Sequence, residues 1–563
     1  MKIRLSPKFT GILLVALLSV ILFAGTATFR HNMYGEMRTL HAWFSDLTLQ
    51  FARNWYRDGV IALRGALFWK PASPEFPDLP SRRMHSSYPS GMLLPVYLAA
   101  VVTRKDPTPH HVSFANACCQ LALMTGCAMM LYFFAIQAGG SVVDACIFSF
   151  TPLILLSLLP APFYFFDKCY FSYEAVIPLV SLYLLLEMLR DTLLSKRIFF
   201  CLRILQGVTA FLGAFTEWLF ILIAAGVYIK RLLLGELGWQ VRPIIRKTAL
   251  FWVPVGAALM LFMVQVLCFG GYEYLQNRFL LRTGISQGKF LFLTTLNPFW
   301  QRHMLRMFGG IGIAALAASA IALLLLGAII FIRRLQKRPR DKCMRTAVWI
   351  GLATLVPCIA HVELLRNQSS FLLHGFEALK FSIPIALLPL GIIPLALLRA
   401  ANLNWSAWTF RRGLFPSAVP VIALVLAVGY AVLMYPRIAS FYVSPISDKK
   451  IIERGVFLDE QTGPKDIVFT FTTEMAQDES PFFMAYTMKV IHLTQNLTEI
   501  HDIVHDIKGD YALCFFHPTN QLPDEVHYID LLKQADTTVI HESYSLHRIS
   551  KETFFTTWNA VNP

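Results

Sequence analysis

Eleven apolar runs that can be assigned to membrane spans constrain the fold of this chain more than any other feature. A helix that crosses a bilayer needs about 20 predominantly apolar residues. The pattern predicts a polytopic α-helical membrane protein with about 11 transmembrane helices. The runs lie near residues 10–28, 112–136, 142–160, 174–190, 198–215, 218–230, 248–268, 309–332, 346–361, 379–398 and 416–435.

Composition supports this interpretation and excludes other classes of protein. Only 15% of the 563 residues are charged, whereas a soluble protein carries about 25%. The net charge of +15 comes largely from short basic clusters between the apolar runs, where the positive-inside rule places them. We therefore expect no nucleic-acid partner. The ten cysteines have no metal-binding or disulfide spacing.

The basic clusters also predict the orientation of the chain. Dense lysine and arginine clusters occur at 190–197, 230–247, 333–345 and 399–412, which predicts that these loops and the N-terminus are cytoplasmic. The first run is interpreted as a transmembrane helix, and the alternative is a signal peptide. The short apolar stretch at 91–103 is interpreted as an interfacial helix. We expect an integral protein of a bacterial inner or plasma membrane.

Two domains are predicted on either side of residue 435. Residues 1–435 form the transmembrane domain, in which 29–111 is the first extracytoplasmic loop. Residues 436–563 form a small extracytoplasmic α/β domain with a mostly parallel sheet. Its predicted strands are 466–472, 511–516 and 537–541, its predicted helices are 497–507 and 525–535, and 481–490 is ambiguous.

The predicted outer loops carry several acids. Asp46 follows the first span, Asp167 and Glu174 flank the head of another, and Glu217 lies between two more. A loop aspartate is ordinarily a helix cap or the partner of a neighbour, here Arg53. A carboxylate at the head of a span is costly, however, and tends to be functional.

Cations and aromatic residues accompany these acids on the same predicted face. The arginines are candidates to neutralise a phosphate, and a carboxylate can act as general base. Together they predict a polar cavity for a substrate with an apolar tail and an anionic head. From the residues alone, this is a membrane enzyme or a transporter. The candidates are Arg82, Arg83, Tyr88, Arg278 and the outer turn with His361, His374, Glu377 and Lys380.

Five segments, in this order and on one predicted face, resemble the GT-C glycosyltransferases. The similar branch is that of the protein O-mannosyltransferases and the lipid A aminoarabinose transferases. The resemblance covers about residues 10–400. The segments are Asp46 with residues 51–59, Tyr88-Pro89, Tyr173-Glu174-Ala175, residues 213–218 and residues 374–384.

The resemblance implies an inverting sugar transfer from a polyprenyl-phosphate-linked donor. It implies Asp46 as the catalytic carboxylate and Glu174 as a second acidic site residue. It also implies that substrate is bound by residues on the outer loops. These are Arg53, Arg82, Arg83, Tyr88, Asp167, Glu217, Arg278, His361, His374 and Lys380.

The sequence also departs from the pattern of that branch. Glu217 stands where the branch has a lysine after Thr216, so other cations would contact the phosphate. Leu47 follows Asp46 where protein mannosyltransferases have a second acid, which argues against simple protein O-mannosylation. No metal ligand is assigned, and a divalent metal is not favoured. The acceptor stays open between a glycolipid, a polysaccharide and a protein.

Two other functions remain as alternatives at this point. A lipid or solute transporter predicts charges inside the spans and repeat symmetry, and the sequence shows almost no charge at mid-span and no repeat. A non-enzymatic scaffold or sensor would leave the outer acids and histidines without a shared cavity. The distance between these side chains therefore discriminates the hypotheses.

Overall fold

A computed structural model of the chain describes most of its residues. These are 7–34, 41–191, 196–237, 240–285, 297–336, 341–369, 372–403, 417–441, 448–472, 485, 487–541 and 544–561.

A helix forms at each of the predicted apolar runs. Among the described residues, nine helices have the length and composition of a membrane span, and a bent pair makes ten. The run at 218–230 forms a helix of 15 residues, which is short for a span. The helices α1 to α17 are Pro7–Tyr34, Ala42–Asp58, Leu94–Thr103, Pro109–Gln137, Val142–Leu158, Pro160–Lys168, Ser172–Arg190, Lys196–Ala214, Leu219–Leu233, Val241–Cys268, Tyr272–Thr283, Leu305–Leu335, Lys342–Leu364, Arg366–Ser369, Ser382–Leu387, Ile393–Ala400 and Ala418–Phe441.

The bent pair consists of α5 and α6, which meet at an angle of 57°. Leu159 between them is extended, with φ −75° and ψ 144°, because the residue before a proline is driven out of the helical region. Pro160 then starts α6 at a position where its missing N–H costs nothing. The bend turns Tyr164 and Phe165 of α6 against His41, which precedes α2.

The apolar stretch from His374 to Ala400 has the composition of one span but several helical geometries. It starts with a 3-10 helix at Leu372–Phe381, continues as α15, passes a π-helical turn at Leu388–Ile392 and ends as α16. In a 3-10 helix residues three apart lie above one another. That period places Glu377 and Lys380 in one row, whereas His374 lies at a kink with φ −93° and ψ 27°.

The stretch at 91–103 is short, as the sequence predicts. A 3-10 turn at Ser90–Leu93 leads into α3, and the combined apolar helix Ser90–Thr103 is below spanning length. The turn is joined to the end of α8, because the Gly91 amide donates to the Phe215 carbonyl at 2.7 Å.

The tail contains a five-stranded sheet, and the prediction that it is mostly parallel is wrong. Its strands β1 to β5 are Ile467–Thr470, Ile491–Leu493, Ala512–Pro518, Thr537–His541 and Tyr544–Ser550. They lie in the order β2-β1-β3-β5-β4. The two pairs made by β1 are parallel, whereas β5 pairs antiparallel with both β3 and β4. Only two residues separate β4 from β5 in the sequence, and strands so close in sequence can pair with each other only as antiparallel neighbours.

Helices pack against this sheet. The predicted helices and the predicted strands 466–472, 511–516 and 537–541 are confirmed within a few residues at their ends, whereas β2, β5 and the helices Asp448–Gln461 and Lys551–Val561 were not predicted. Half of the ambiguous segment 481–490 lies outside the described residues. The tail helices α18 to α21 are Asp448–Gln461, Leu497–Val504, Val526–Lys533 and Lys551–Val561.

Candidate active site

An aromatic and cationic cavity of about 370 Å³ opens between α2, the segment 69–88, α11 and the turn at 367–376. Its walls carry seven phenylalanine, tyrosine or tryptophan rings and four lysine or arginine side chains. No aspartate or glutamate is among the described residues that line it. These residues are Trp43, Phe44, Leu47, Trp69, Lys70, Arg83, His85, Ser87, Tyr88, Phe171, Tyr274, Arg278, Leu281, Arg282, Asn367, Gln368, His374 and Phe376.

Three arginines dominate the charge of this cavity. The guanidinium groups of Arg83 and Arg278 lie 5.4 and 4.9 Å from the ring centre of Tyr274. The guanidinium of Arg282 lies 4.6 Å from the ring centre of Tyr88 and donates to the Ser87 carbonyl at 3.4 Å. Aromatic faces hold these cations in place by cation–π attraction.

The helix α11 explains why two of the arginines reach the cavity together. Tyr274, Arg278 and Arg282 follow one another at intervals of four residues, so they share a helical face. The helix ends at Gly284, whose φ of 78° is left-handed, a conformation that glycine adopts without strain. Arg282 was not predicted, although its i, i+4 relation to Arg278 is visible in the sequence.

Behind the cavity wall lies a chain of four buried ionisable groups. Lys380 Nζ is 2.6 Å from Glu377 Oε2 and 2.9 Å from His361 Nδ1. His361 Nε2 is 3.8 Å from Glu217 Oε2. Each of the four side chains is at most 2% exposed. The predicted residues Glu217, His361 and Lys380 are thus brought together, but behind the wall rather than on it.

The chain is connected to the cavity through Glu377. Gln368 Nε2 donates to Glu377 Oε1 at 2.7 Å and contacts the Tyr88 hydroxyl at 3.0 Å. His374 Nδ1 lies 3.9 Å from the same Glu377 oxygen. Gln368, Tyr88 and His374 line the cavity. A change of charge at the cavity wall therefore alters the electrostatic potential at Glu377.

Glu217 is fixed by the turn between α8 and α9. Its Oε2 accepts a hydrogen bond from the Leu219 amide at 2.6 Å, and the adjoining Trp218 indole donates to the Ser87 carbonyl at 3.1 Å. Burial raises the pKa of the Glu217 carboxyl to about 7. This position therefore does not supply the cation that the related branch has there.

Two further groups in the cavity keep their neutral forms near neutral pH. Burial, with Arg282 and Arg278 nearby, lowers the pKa of His85 to about 3. Burial raises the pKa of the Tyr88 phenol to about 12. Tyr88 is therefore a hydroxyl donor and His85 a neutral imidazole, so the positive charge of the cavity comes from its lysine and arginines.

The two predicted catalytic acids lie next to the wall. Asp46 is buried, at 2% exposed, and it is not among the described residues that line the cavity. Glu174 is fully buried and its Oε2 accepts from the Phe171 amide at 2.9 Å, so it caps the start of α7 beneath a wall residue.

Three other predicted residues, Arg53, Arg82 and Asp167, lie away from the cavity wall. Arg53 donates to the carbonyls of Pro107 and Ala485 at 2.9 and 2.5 Å. Arg82 forms a 2.7 Å ion pair with Asp58.

Asp167 is also outside the cavity lining, and its Oδ2 lies 3.2 Å from Lys168 Nζ. The predicted residues that do line the cavity are Arg83, Tyr88, Arg278 and His374. His85 and Gln368 were not predicted, since nothing in their sequence neighbourhood marks them.

One group of three acids has the spacing of a metal site, and it lies at the far end of α7. Glu187, Asp191 and Glu236 come together there among the described residues. Lys230 Nζ lies 2.8 and 2.7 Å from Glu187 and Asp191, and Arg231 Nη2 lies 2.6 Å from Glu187. These cations already compensate the carboxylates, so the cluster is an ion-pair network.

Comparison with known proteins identifies the fold. No protein-family model and no curated protein sequence matches the chain. The crystal structure of ArnT from Cupriavidus metallidurans in the apo state is 11% identical, with a TM-score of 0.51 over 94% of this chain and 97% of that one. ArnT from the same organism bound to undecaprenyl phosphate is also 11% identical, with a TM-score of 0.51 over 95% and 97%.

A third structure is similar over most of this chain as well. The apo oligosaccharyltransferase from Archaeoglobus fulgidus is 11% identical, with a TM-score of 0.51 over 91% of this chain and 69% of that one. All of these are GT-C proteins. The chain is an integral membrane protein with the GT-C fold and a small C-terminal sheet of five strands.

Proposed function

We propose that the chain is a glycosyltransferase that moves a sugar from a polyprenyl-phosphate-linked donor to an acceptor hydroxyl, with inversion. The observation that carries this proposal is the cavity with four cations, many aromatic rings and no acid among its described lining residues. It suits a sugar joined to an anionic lipid phosphate. Related support is that ArnT, similar in fold, has been crystallised with undecaprenyl phosphate.

In the proposed reaction Arg83, Arg278 and Arg282 hold the donor phosphate. Their N–H groups form charge-assisted hydrogen bonds with its oxygens. As the bond between the sugar and the phosphate breaks, the leaving phosphate gains negative charge, and the fixed arginines stabilise it. The rings of Trp43, Trp69 and other wall residues pack on the sugar.

The acceptor hydroxyl attacks the anomeric carbon from the face opposite the phosphate and loses its proton to a carboxylate. In this proposal Asp46 is that general base, as the resemblance implies, and Glu174 holds the start of α7 in place. The proton moves to the carboxylate, the electron pair of the broken bond moves to the phosphate, and no oxidant or reductant is needed.

Binding of undecaprenyl phosphate to the purified protein tests the phosphate site. The double variant Arg278→Gln/Arg282→Gln should bind it at least about tenfold more weakly, because hydrogen bonds to charged groups contribute about 1.5–3 kcal/mol each. The matched control is Arg64→Gln/Arg104→Gln, which removes two exposed arginines that do not line the cavity. If both double variants bound undecaprenyl phosphate with equal affinity, Arg278 and Arg282 would not belong to the phosphate site.

Transfer from a polyprenyl-phosphate sugar in proteoliposomes tests the general base. Asp46→Asn should abolish turnover while undecaprenyl phosphate still binds, because the amide cannot accept the proton. Glu377→Gln, in contact with the wall residues His374 and Gln368, is the comparison. Full turnover of Asp46→Asn together with loss in Glu377→Gln would assign the base to Glu377.

A further inference from the structure

A second cavity lies at the opposite end of the helix bundle. It is a groove of about 490 Å³ between α9, α12 and α13. The helix α12 starts beside the active site, where the preceding residue His303 lies close to Gly375. After a kink at Gly309, with φ 66° and ψ 175°, the helix continues to Leu335, and this part is about 39 Å long. The groove at its other end therefore belongs to the other membrane face.

The walls of this groove are largely apolar, and several of their side chains are exposed on the outer surface of the helix bundle. Leu233 of α9, Phe331 of α12 and Leu352 of α13 line it and are 65%, 61% and 40% exposed. On a membrane-spanning helix such exposed apolar side chains face lipid. An apolar chain can therefore enter the groove from the side without crossing water.

The end of the groove carries arginines that no carboxylate neutralises in the described part of the chain. Arg333 donates to the Ala400 carbonyl at 2.8 Å and contacts Met344 Sδ at 3.6 Å. Arg345 has a buried Nε without a hydrogen-bond partner, and Arg334 is exposed. All three line the groove.

The other charged side chains at the groove are already paired with groups of opposite charge. Asp341, its one described acidic residue, accepts from the Met344 amide at 3.0 Å and from Arg399 Nε at 3.2 Å. Lys230 is held by the carboxylates of Glu187 and Asp191. The excess charge is therefore that of three arginines.

We propose that this groove binds an anionic phospholipid of the adjoining leaflet. The lipid phosphate lies among Arg333, Arg334 and Arg345, and an acyl chain lies along Phe331 and Leu352. Arginine suits this task because its planar donors match phosphate oxygens, and basic pockets between helices at a membrane face bind anionic head groups. A free phosphate ion would leave the exposed apolar walls uncovered.

The experiment is native mass spectrometry of the purified full-length protein with phosphatidylglycerol or phosphatidylcholine added. The wild type should retain phosphatidylglycerol at least about tenfold more strongly than phosphatidylcholine. Arg334→Gln/Arg345→Gln should lose this preference, and Arg334→Lys/Arg345→Lys should keep most of it. The matched control Arg242→Gln/Arg246→Gln removes two exposed arginines of α10 outside the groove and should behave as wild type.

Three results would overturn the proposal. One is equal retention of the two lipids by the wild type, and another is undiminished phosphatidylglycerol binding by the glutamine pair. The third is displacement of phosphatidylglycerol by an equimolar amount of undecaprenyl phosphate, which would assign the groove to the carrier lipid. A melting temperature measured for every variant separates loss of lipid from loss of fold.

Discussion

Glu217 shows how burial sets the behaviour of a single residue in this molecule. Its carboxyl is fully buried between two apolar helices, where the charged form is disfavoured by desolvation. The Leu219 amide and the positive charges of Lys380 and Arg282 act against this effect but do not cancel it. The result is a pKa near 7, so that this acid changes its charge in the physiological range.

The pH dependence of stability follows from that raised pKa. Between the ordinary value of 4.5 and about 7, the folded protein keeps a proton on Glu217 that the unfolded chain releases. Stability therefore falls as the pH rises through this window. We expect the melting temperature of Glu217→Gln, measured from pH 5 to 8, to fall less than that of the wild type.

The quantity to measure is the difference in melting temperature between the wild type and Glu217→Gln at each pH, because His85 changes stability in the opposite direction. Its lowered pKa makes stability rise with pH up to its ordinary value of 6.5, and both proteins share this effect. Glu273→Gln, which removes an exposed acid of α11, is the control and should follow the wild type. A Glu217→Gln profile parallel to the wild-type profile would contradict the assignment.

At the scale of elements, the short turn before α3 and the end of α8 act as one unit. A Cβ atom added to Gly91 would lie 2.5 Å from the Phe215 carbonyl oxygen and 2.7 Å from Thr216 Oγ1. No heavier residue fits there without moving the backbone that carries Glu217. This close approach ties the first loop to the buried chain behind the cavity.

Replacing Gly91 by alanine should therefore destabilise the protein. Overpacking of this kind costs about 1–3 kcal/mol, and we expect a lower melting temperature in a thermal-shift assay. Gly256→Ala is the matched control, because a Cβ there has no heavy atom within 4 Å. An unchanged melting temperature for Gly91→Ala would show that the turn and α8 are not packed as described.

The elements differ in how far the sequence predicts them. Long apolar runs predict their helices because burial in a membrane leaves no other way to pair the backbone. The 3-10 geometry that aligns Glu377 and Lys380 has no such signature, since its apolar residues fit an ordinary helix. Strand β5, with His547 and Arg548 among apolar residues, lacks the simple alternation of a strand.

The candidate site was predictable in part for a related reason. Successive spans cross the membrane in alternating directions, so the sequence predicts which loops lie on the same membrane face. This was enough to predict that Glu217, His361 and Lys380 lie near one another. It does not predict whether a side chain lines the cavity or lies behind its wall. Arg82 and Arg83 are adjacent in sequence, yet only Arg83 lines the cavity, because Arg82 turns to Asp58.

At the scale of the whole molecule, the tail is attached to the first loop. Arg53 of α2 donates to the Ala485 carbonyl, and Nε2 of His492 in β2 is hydrogen-bonded to Glu75, both side chains being at most 15% exposed. These contacts involve strand β2 and the short segment before it. The sheet is thereby held beside the loop that carries Asp46.

Loss of the hydrogen bond between His492 and Glu75 should loosen the tail. Removing one partner leaves the buried Glu75 side chain without this hydrogen bond, so His492→Ala should release a tail fragment faster in limited proteolysis than the wild type. His505→Ala, at an exposed histidine whose contacts are local, serves as the control. Identical digestion of the two variants would show that the pair does not hold the tail.

The acid-free, arginine-rich cavity has a kinetic consequence for the proposed reaction. A sugar-linked lipid phosphate is a diester with one negative charge, whereas the lipid phosphate left after transfer is a monoester with a charge of about −1.5 to −2 at pH 7. The same arginines that favour departure of the phosphate therefore hold the spent carrier more tightly than the fresh donor. Turnover would be limited by product release, and added carrier phosphate would act as a competitive inhibitor.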